Sequence, residues 1–302
     1  MLKVGLRKEL GEDPLIPLKH LFDKINFKHK IEFINFHKIS DYDAFIFFNY
    51  PNSKKLIKLI KEDKRSMYLI CSESPTIDES SWNIQNHVDF EKIFTWDDKS
   101  VDNIKYFKIN HPTYHKIKNS INKKIKRNFC VMINSNKSNN HRNDLYKERR
   151  NIINWFEKNN PDKFDLYGYG WDYQLQFKGS KYLKNIFKLK YIKKFLTPNL
   201  NTFKGEFNGL KQNLLEDYKF CICFENAKKY SGLVTEKIFH CFFAGCIPIY
   251  YGAENISDLI GFDCYIDYRN FKKPDLMYNY LINLSDIKIQ KYIENIELFL
   301  QC

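Results

Sequence analysis

The stretch Lys219 to Gly252, KFCICFENAKKYSGLVTEKIFHCFFAGCIPIYYG, carries the side chains best able to do chemistry. Lys237 brings a full positive charge near a helix start. A cation there opposes the helix dipole, so it implies an anion or an acidic neighbour. The free N–H groups of the same helix start attract phosphate. Glu236 can accept two hydrogen bonds from a ribose diol, and Asn226 can donate and accept at once. Together these groups suit a nucleoside diphosphate. The Glu236-Lys237 pair alone reads better as an ordinary helix start with two solvated side chains; the whole stretch does not.

The elements that position these groups follow from the pattern. Phe220 to Phe224 is an apolar run of strand length, ending in the polar turn Glu225-Asn226-Ala227-Lys228-Lys229. Val234-Thr235-Glu236-Lys237 opens a helical pattern with Ile238, Cys241, Phe242 and Gly245 on one face. Cys246 to Tyr251 is a second strand, closed by Gly252. Strand, loop, helix and strand make a βαβ unit, which puts the polar loop at the carboxyl end of a parallel sheet. Ligands of open α/β sheets bind there.

CFENA…VTEKIFHCFFAGCIPIYYGA resembles the donor-binding motif of the α-1,3/4-fucosyltransferases, glycosyltransferase family 10. That pattern runs FENS, then [YL]-[VI]-T-E-K, then A-G-x-[VI]-P-[VI]-Y-[WY]-G. The order and length make it far more specific than a lone glycine-rich loop. Two departures stand out. The Tyr frequent before VTEK is Leu233 here, and the loop after Asn226 is one residue longer; Tyr230 is the candidate for the missing aromatic contact.

A second candidate lies in the first half. The strand Met67 to Cys71 runs into Ser72-Glu73-Ser74-Pro75, and Pro75 keeps Ser74 out of helical geometry. A carboxylate at a strand's carboxyl end can face a ligand, and an inverting glycosyl transfer needs one general base. Alone, Glu73 reads as a turn residue accepting local N–H groups. The segment resembles the family's ESP element, whose acidic residue is assigned as the base. His87 to Phe90 and Ile93 to Asp98 resemble a second, looser family region, with Asp97 at an arginine-type position. His111 and His115 are given no catalytic role.

Arg142 follows a strand and a polar loop, where a guanidinium can grip a diphosphate at two points. Ser135-Asn136…Arg142-Asn143-Asp144-Leu145-Tyr146 resembles the family's SN…R…Y element, whose Arg contacts the donor. Arg149 competes for the role; Arg142 is preferred for its place at the loop end. Gly168-Tyr169-Gly170-Trp171 resembles the family's G.G element.

Composition bounds the rest. The chain has 302 residues, 43% hydrophobic and 17% aromatic, which argues for a folded protein of two domains. A net charge of +13 favours anionic partners, but the lysines are spread along the chain. The clusters at 123–127 and 188–194 read as solvated faces. Six of the eight cysteines lie in apolar runs without metal-type spacing, so a reducing compartment is the simpler reading. No signal peptide or membrane span is visible, and the expectation is a cytoplasmic protein, soluble or peripherally membrane-bound.

Strands are expected at Leu2–Leu6, Ile31–Phe36, Ala44–Phe48, Met67–Cys71, Lys92–Trp96, Asn128–Ile133 and Phe164–Gly168. Helices are expected at Ser53–Lys64, Asn143–Lys158, Asn255–Leu259, Asp275–Leu284 and Ser285–Leu300, with 116–127 as an exposed linking helix. Residues 177–207 are basic and aromatic and read as an insertion beside the donor site.

The fold class is therefore α/β. The resemblance implies the GT-B type, two Rossmann-like domains facing across a cleft: 1–120 for the acceptor and 121–302 for the donor. It implies transfer of L-fucose from GDP-β-L-fucose to a hydroxyl of a GlcNAc- or glucose-containing glycan, with inversion to an α-1,3-type linkage. Glu73 is then the base, and Arg142, Asn226, Tyr230, Glu236 and Lys237 bind the donor. No metal or other cofactor is expected, because cations and helix dipoles stabilise the leaving diphosphate. Asp41-Tyr42-Asp43 spells D-x-D but precedes a strand. A GT-B transferase with another nucleotide sugar is the alternative, and a basic nucleic-acid-binding protein a distant third.

Overall fold

The computed structural model describes residues 2–6, 29–111, 128–171, 200–260 and 263–301. The chain divides into two units. The first holds Met1–His115, Lys229–Thr235 and Ala253–Asn255; the second holds Lys116–Lys228, Glu236–Gly252 and Ile256–Cys302. The expected change of domain near 115–128 falls largely outside the described residues, as do the linking helix, His115 and most of the 177–207 insertion.

The first unit is built on a parallel sheet of six strands in the order β2-β1-β3-β4-β5-β6. Its strands are β1 (Leu2–Leu6), β2 (His29–Phe33), β3 (Ala44–Phe48), β4 (Ser66–Cys71), β5 (Lys92–Thr95) and β6 (Tyr106–Lys108). β3 pairs with β4 in the register Phe47↔Leu69. β4 pairs with β5 in the register Leu69↔Ile93. Phe45, Phe47, Leu69 and Ile93, which these registers place on one face of the sheet, are fully buried. α1 (Lys54–Glu62) lays Ile60 into this core. It stops where Arg65 folds back onto the Asp63 carboxylate and donates to the carbonyls of Ile39 and Tyr42. β2 ends earlier than expected because Asn35 accepts from the N–H of His37 and starts a 3-10 turn, Phe36–Asp41, in place of more strand.

The second unit carries another six-stranded parallel sheet, in the order β12-β11-β10-β7-β8-β9. Here β7 is Asn128–Ile133, β8 Phe164–Tyr167, β9 Phe203–Gly205, β10 Tyr218–Phe224, β11 Ile247–Tyr251 and β12 Ile266–Asp267. The chain runs outward from β7 to β9, returns to lay β10 on the other side of β7, and runs outward again. The order therefore reverses between β7 and β10. The helices are α2 (Tyr146–Asn159), α3 (Lys211–Leu215), α4 (Glu236–Phe243), α5 (Ile256–Leu259), α6 (Pro274–Ile282) and α7 (Asp286–Gln301). Phe156 of α2 stacks on Phe164 with ring centroids 4.5 Å apart. Ser285 caps α7, accepting from the N–H of Lys288. Among the described residues, no helix is long and apolar enough to cross a membrane.

Candidate active site

The carboxyl ends of β7 and β10 frame a cavity of about 430 Å³ in the second unit, lined by Ser135, Tyr146, Arg149, Asn226, Lys237 and His240 among others. This is the reversal point of the sheet, where α/β folds bind ligands. Lys237 stands in the first turn of α4 and donates to Glu225 Oε2 at 3.0 Å. Glu225 is the acidic neighbour that a lysine at a helix start requires. It caps the carboxyl end of β10 with its side chain 1% exposed, while that of Lys237 is 22% exposed. Room for this carboxylate depends on Gly252, because a Cβ there would lie 2.5 Å from Glu225 Cγ. Burial pushes the Lys237 ammonium towards neutrality, but Glu225 and then Glu236 outweigh it, so its pKa is raised and it stays charged.

Arg149 projects from α2 into the same wall and is 3% exposed. Its Nη2 donates to the carbonyls of Phe224 (2.6 Å) and Glu225 (2.7 Å) and to Asn226 Oδ1 (3.2 Å). Its Nε is buried with no hydrogen-bond partner among the described residues. Burial lowers its pKa, yet guanidinium stays charged in proteins. Lys237 and Arg149 thus bring two cations to the cavity wall, with the Glu225 carboxylate buried behind Lys237.

Arg142, preferred from sequence, is exposed in the loop before α2 and is not among the residues lining the cavity. The reason is local: α2 begins three residues later than expected, at Tyr146. His141 and Asp144 instead tie the loop down, accepting from the N–H groups of Asn143 and Tyr146. Asn226 lines the cavity, and Glu236 opens α4, half-buried. Tyr230 belongs to the first unit, where its ring meets that of Trp96 edge-on at 5.8 Å. Cys221, Cys223 and Cys241, read as small hydrophobes, also line the cavity. Glu225 and Arg149 are what sequence reasoning underweighted. The demand of Lys237 for an acidic partner was the available signal for Glu225. A second arginine at helix spacing from the buried Ile152, Ile153 and Phe156 was the signal for Arg149.

In the first unit, Glu73 follows β4 in a loop held from four sides. Asn49, buried and in the left-handed region at φ 58°, accepts from the N–H groups of Ser72 (2.9 Å) and Glu73 (3.0 Å). Trp82 Nε1 donates to the Glu73 carbonyl at 2.9 Å. The Ser72 carbonyl meets Trp96 Nε1 at 3.1 Å and His111 Nε2 at 2.9 Å. Such backbone anchoring fixes the position from which the Glu73 side chain projects. Asp97 is engaged locally, accepting from Ser100 Oγ, and Asp98 pairs with Lys108. Among the described residues, no group of three or more His, Cys, Asp or Glu is placed to hold a metal ion.

Comparison with known proteins finds a similarity over part of the chain. Residues 174–295 match the family model described as glycosyltransferase family 10 (fucosyltransferase) C-term. The alpha-(1,3)-fucosyltransferase FucT of Helicobacter pylori is 37% identical over 71 residues, 24% of this chain and 15% of that protein. An alpha-(1,4)-fucosyltransferase of Arabidopsis thaliana is 35% identical over 72 residues, 24% of this chain and 18% of that protein. The matched segment thus spans less than a fifth of either relative. The crystal structure of an alpha1,3-fucosyltransferase with GDP-fucose superposes with a TM-score of 0.53 at 16% identity, covering 98% of this chain and 81% of that one. This likeness is one of fold. Residues 174–295, less than half of the chain, are thus similar to glycosyltransferase family 10, and the two parallel α/β units share the GT-B fold of the fucosyltransferase structure.

Proposed function

We propose that the protein is an inverting glycosyltransferase that moves L-fucose from GDP-β-L-fucose to a hydroxyl of a GlcNAc- or glucose-containing glycan, forming an α-1,3-type linkage. The observation that carries this reading is the meeting of Lys237 and Arg149 with a single buried carboxylate, Glu225, at the sheet's reversal point. A diphosphate supplies the negative charge that this arrangement accommodates.

In the proposed reaction the acceptor oxygen attacks C1 of fucose from the face opposite GDP. The new C–O bond forms as the bond from C1 to the β-phosphate oxygen breaks. Glu73 takes the acceptor proton, a contribution of about 10²–10⁴ in rate. The bonding electron pair leaves with GDP, and Lys237, Arg149 and the N-terminal amides of α4 stabilise that charge. Removing one such preorganised donor costs about 2.7–4 kcal/mol in comparable sites. Asn226 and Glu236 bind the nucleotide's polar groups, and Tyr230 supplies aromatic contact to the donor. Arg149, which lines the cavity, takes the diphosphate role first considered for Arg142.

Two departures favour a second reading. Leu233 stands where the family pattern frequently has Tyr, and the loop is a residue longer. A different nucleotide sugar is therefore the competing donor. Thermal shift with GDP-fucose, GDP-mannose and UDP-glucose decides: the largest stabilisation comes from GDP-fucose if the proposal holds, and from a UDP-sugar if it fails.

A further inference from the structure

Two short loops that interrupt the second unit in sequence, 229–235 and 253–255, belong to the first unit. Polar contacts centred on Asp98 hold them there. Asp98 Oδ1 accepts from Lys108 Nζ, and Oδ2 accepts from Asn255 Nδ2 at 2.9 Å. Asn255 Oδ1 accepts in turn from the N–H of Gly232 at 2.8 Å. Lys108 Nζ also donates to the Trp96 carbonyl at 2.7 Å. The N–H of Asp98 reaches the Ser231 carbonyl at 3.3 Å.

Gly232 is the point of closest approach. Its φ is +84°, and a Cβ there would lie 2.1 Å from the Trp96 carbonyl oxygen and 2.8 Å from Asp98 Oδ2. Only glycine seats the loop on this pair. The loop then places Tyr230 edge-on against Trp96. The indole N–H of Trp96 holds the Ser72 carbonyl, next to Glu73. A continuous set of contacts therefore runs from Asp98 through Gly232 and Trp96 to both Tyr230 and Glu73.

We propose that Asp98 is a positioning residue: through Asn255, Lys108 and Gly232 it sets the 229–235 loop, and so Tyr230, against the Trp96 indole that also anchors the Glu73 loop. The consequence for catalysis rests on the functions proposed above for Tyr230 and Glu73. The hydrogen-bond directions supply a specific test. In Asp98→Asn, the new Nδ2 faces the Asn255 amide donor. Turning the Asn255 amide relieves that conflict but points a donor at the Gly232 N–H instead. The single variant is frustrated either way. Adding Asn255→Asp resolves it: Asn at 98 accepts from Lys108 and donates to Asp at 255, which also accepts from Gly232.

The experiment compares the parent, D98N, N255D and the double variant D98N/N255D. Two quantities are read: hydrogen exchange over 229–235, and kcat/KM for GDP-fucose. Each single variant should speed exchange in the loop and lower kcat/KM by about tenfold to a hundredfold, the usual penalty for small misplacement of a reacting group. The double variant should return both quantities to within about threefold of the parent, a non-additive rescue expected of directly coupled sites. A purely structural role predicts losses that track the folded fraction, with no recovery per folded molecule. Unchanged exchange in D98N, or additive losses in the double variant, overturns the proposal. Exchange that follows the predicted pattern in a protein with no transfer from GDP-fucose leaves the loop assignment standing and removes the proposed reaction.

Discussion

Replacing Glu225 with Gln isolates charge from shape behind the Lys237 side chain that lines the cavity. Gln keeps an oxygen for Lys237 to donate to, and nearly the same volume, but removes the negative charge. With Lys237 Nζ and Glu225 Oε2 3.0 Å apart, Coulomb attraction at an effective dielectric of about 20 is roughly 5–6 kcal/mol before desolvation. Breaking a buried pair by losing one partner costs about 3–5 kcal/mol. Lys237 keeps some access to water, so about 2–4 kcal/mol is the expected loss, or a fall in Tm of roughly 4–16 °C for a unit of this size. Binding should move the other way. A diphosphate bound as proposed is repelled by Glu225, so neutralising it should tighten GDP by roughly tenfold, about 1.4 kcal/mol. Lys237→Met should lose stability and weaken GDP together. Differential scanning fluorimetry and calorimetric titration on the same preparations separate these outcomes. If both variants lose the same stability and neither alters GDP affinity, the pair is structural and the diphosphate binds elsewhere.

Three further outcomes follow from the same geometry. Arg149→Lys should weaken GDP binding per folded molecule by roughly tenfold to a hundredfold, the worth of a charged hydrogen bond, whereas Arg142→Ala should leave it within about threefold; the reverse order returns the diphosphate to Arg142. Glu73→Gln should retain GDP-fucose affinity and Tm while kcat falls by about two to four orders of magnitude; near-parent turnover removes Glu73 as the base. Acid stability reports on Asp98. Burial tends to raise its pKa, but bonds from Lys108 and Asn255 outweigh that and leave it below the ordinary 3.8. A carboxyl depressed in the folded state contributes stability that is present above its unfolded pKa and lost as pH falls through the folded one. The Tm difference between parent and D98N should therefore be constant above about pH 5 and shrink only below the ordinary carboxylate range; a difference that changes between pH 6 and 8 contradicts the assignment.

Much of the fold was legible because its central strands are unmixed apolar runs. Ala44–Phe48 and Asn128–Ile133 coincide with the expected strands, and β4, β5, β10 and β11 differ at their ends by a residue or two. Short edge elements were not legible. β6, β9 and β12 have two or three residues each, too few for a period to show. α3, five residues long, was unreadable for the same reason. The site was legible where one side chain's chemistry demanded a neighbour. Lys237 at a helix start required an anion, and the structure supplies Glu225. Arg142 and Arg149 were harder, because choosing between them depends on the residue at which α2 begins. The local bonds of Asp144 and His141 decide that, and apolar periodicity does not register them. Least legible was the membership of 229–235 and 253–255 in the first unit. It rests on Asp98, Lys108 and Asn255, polar residues far apart in sequence with no periodic signature.

The most direct test is to incubate the protein with GDP-fucose and a GlcNAc-terminated acceptor and determine the new glycosidic linkage by proton NMR, with UDP-glucose and GDP-mannose as parallel donors. The proposed function predicts an α-fucosyl product formed one-for-one with released GDP, and little transfer from the other donors. A β-linked product, or preferential transfer of a different sugar, would contradict it.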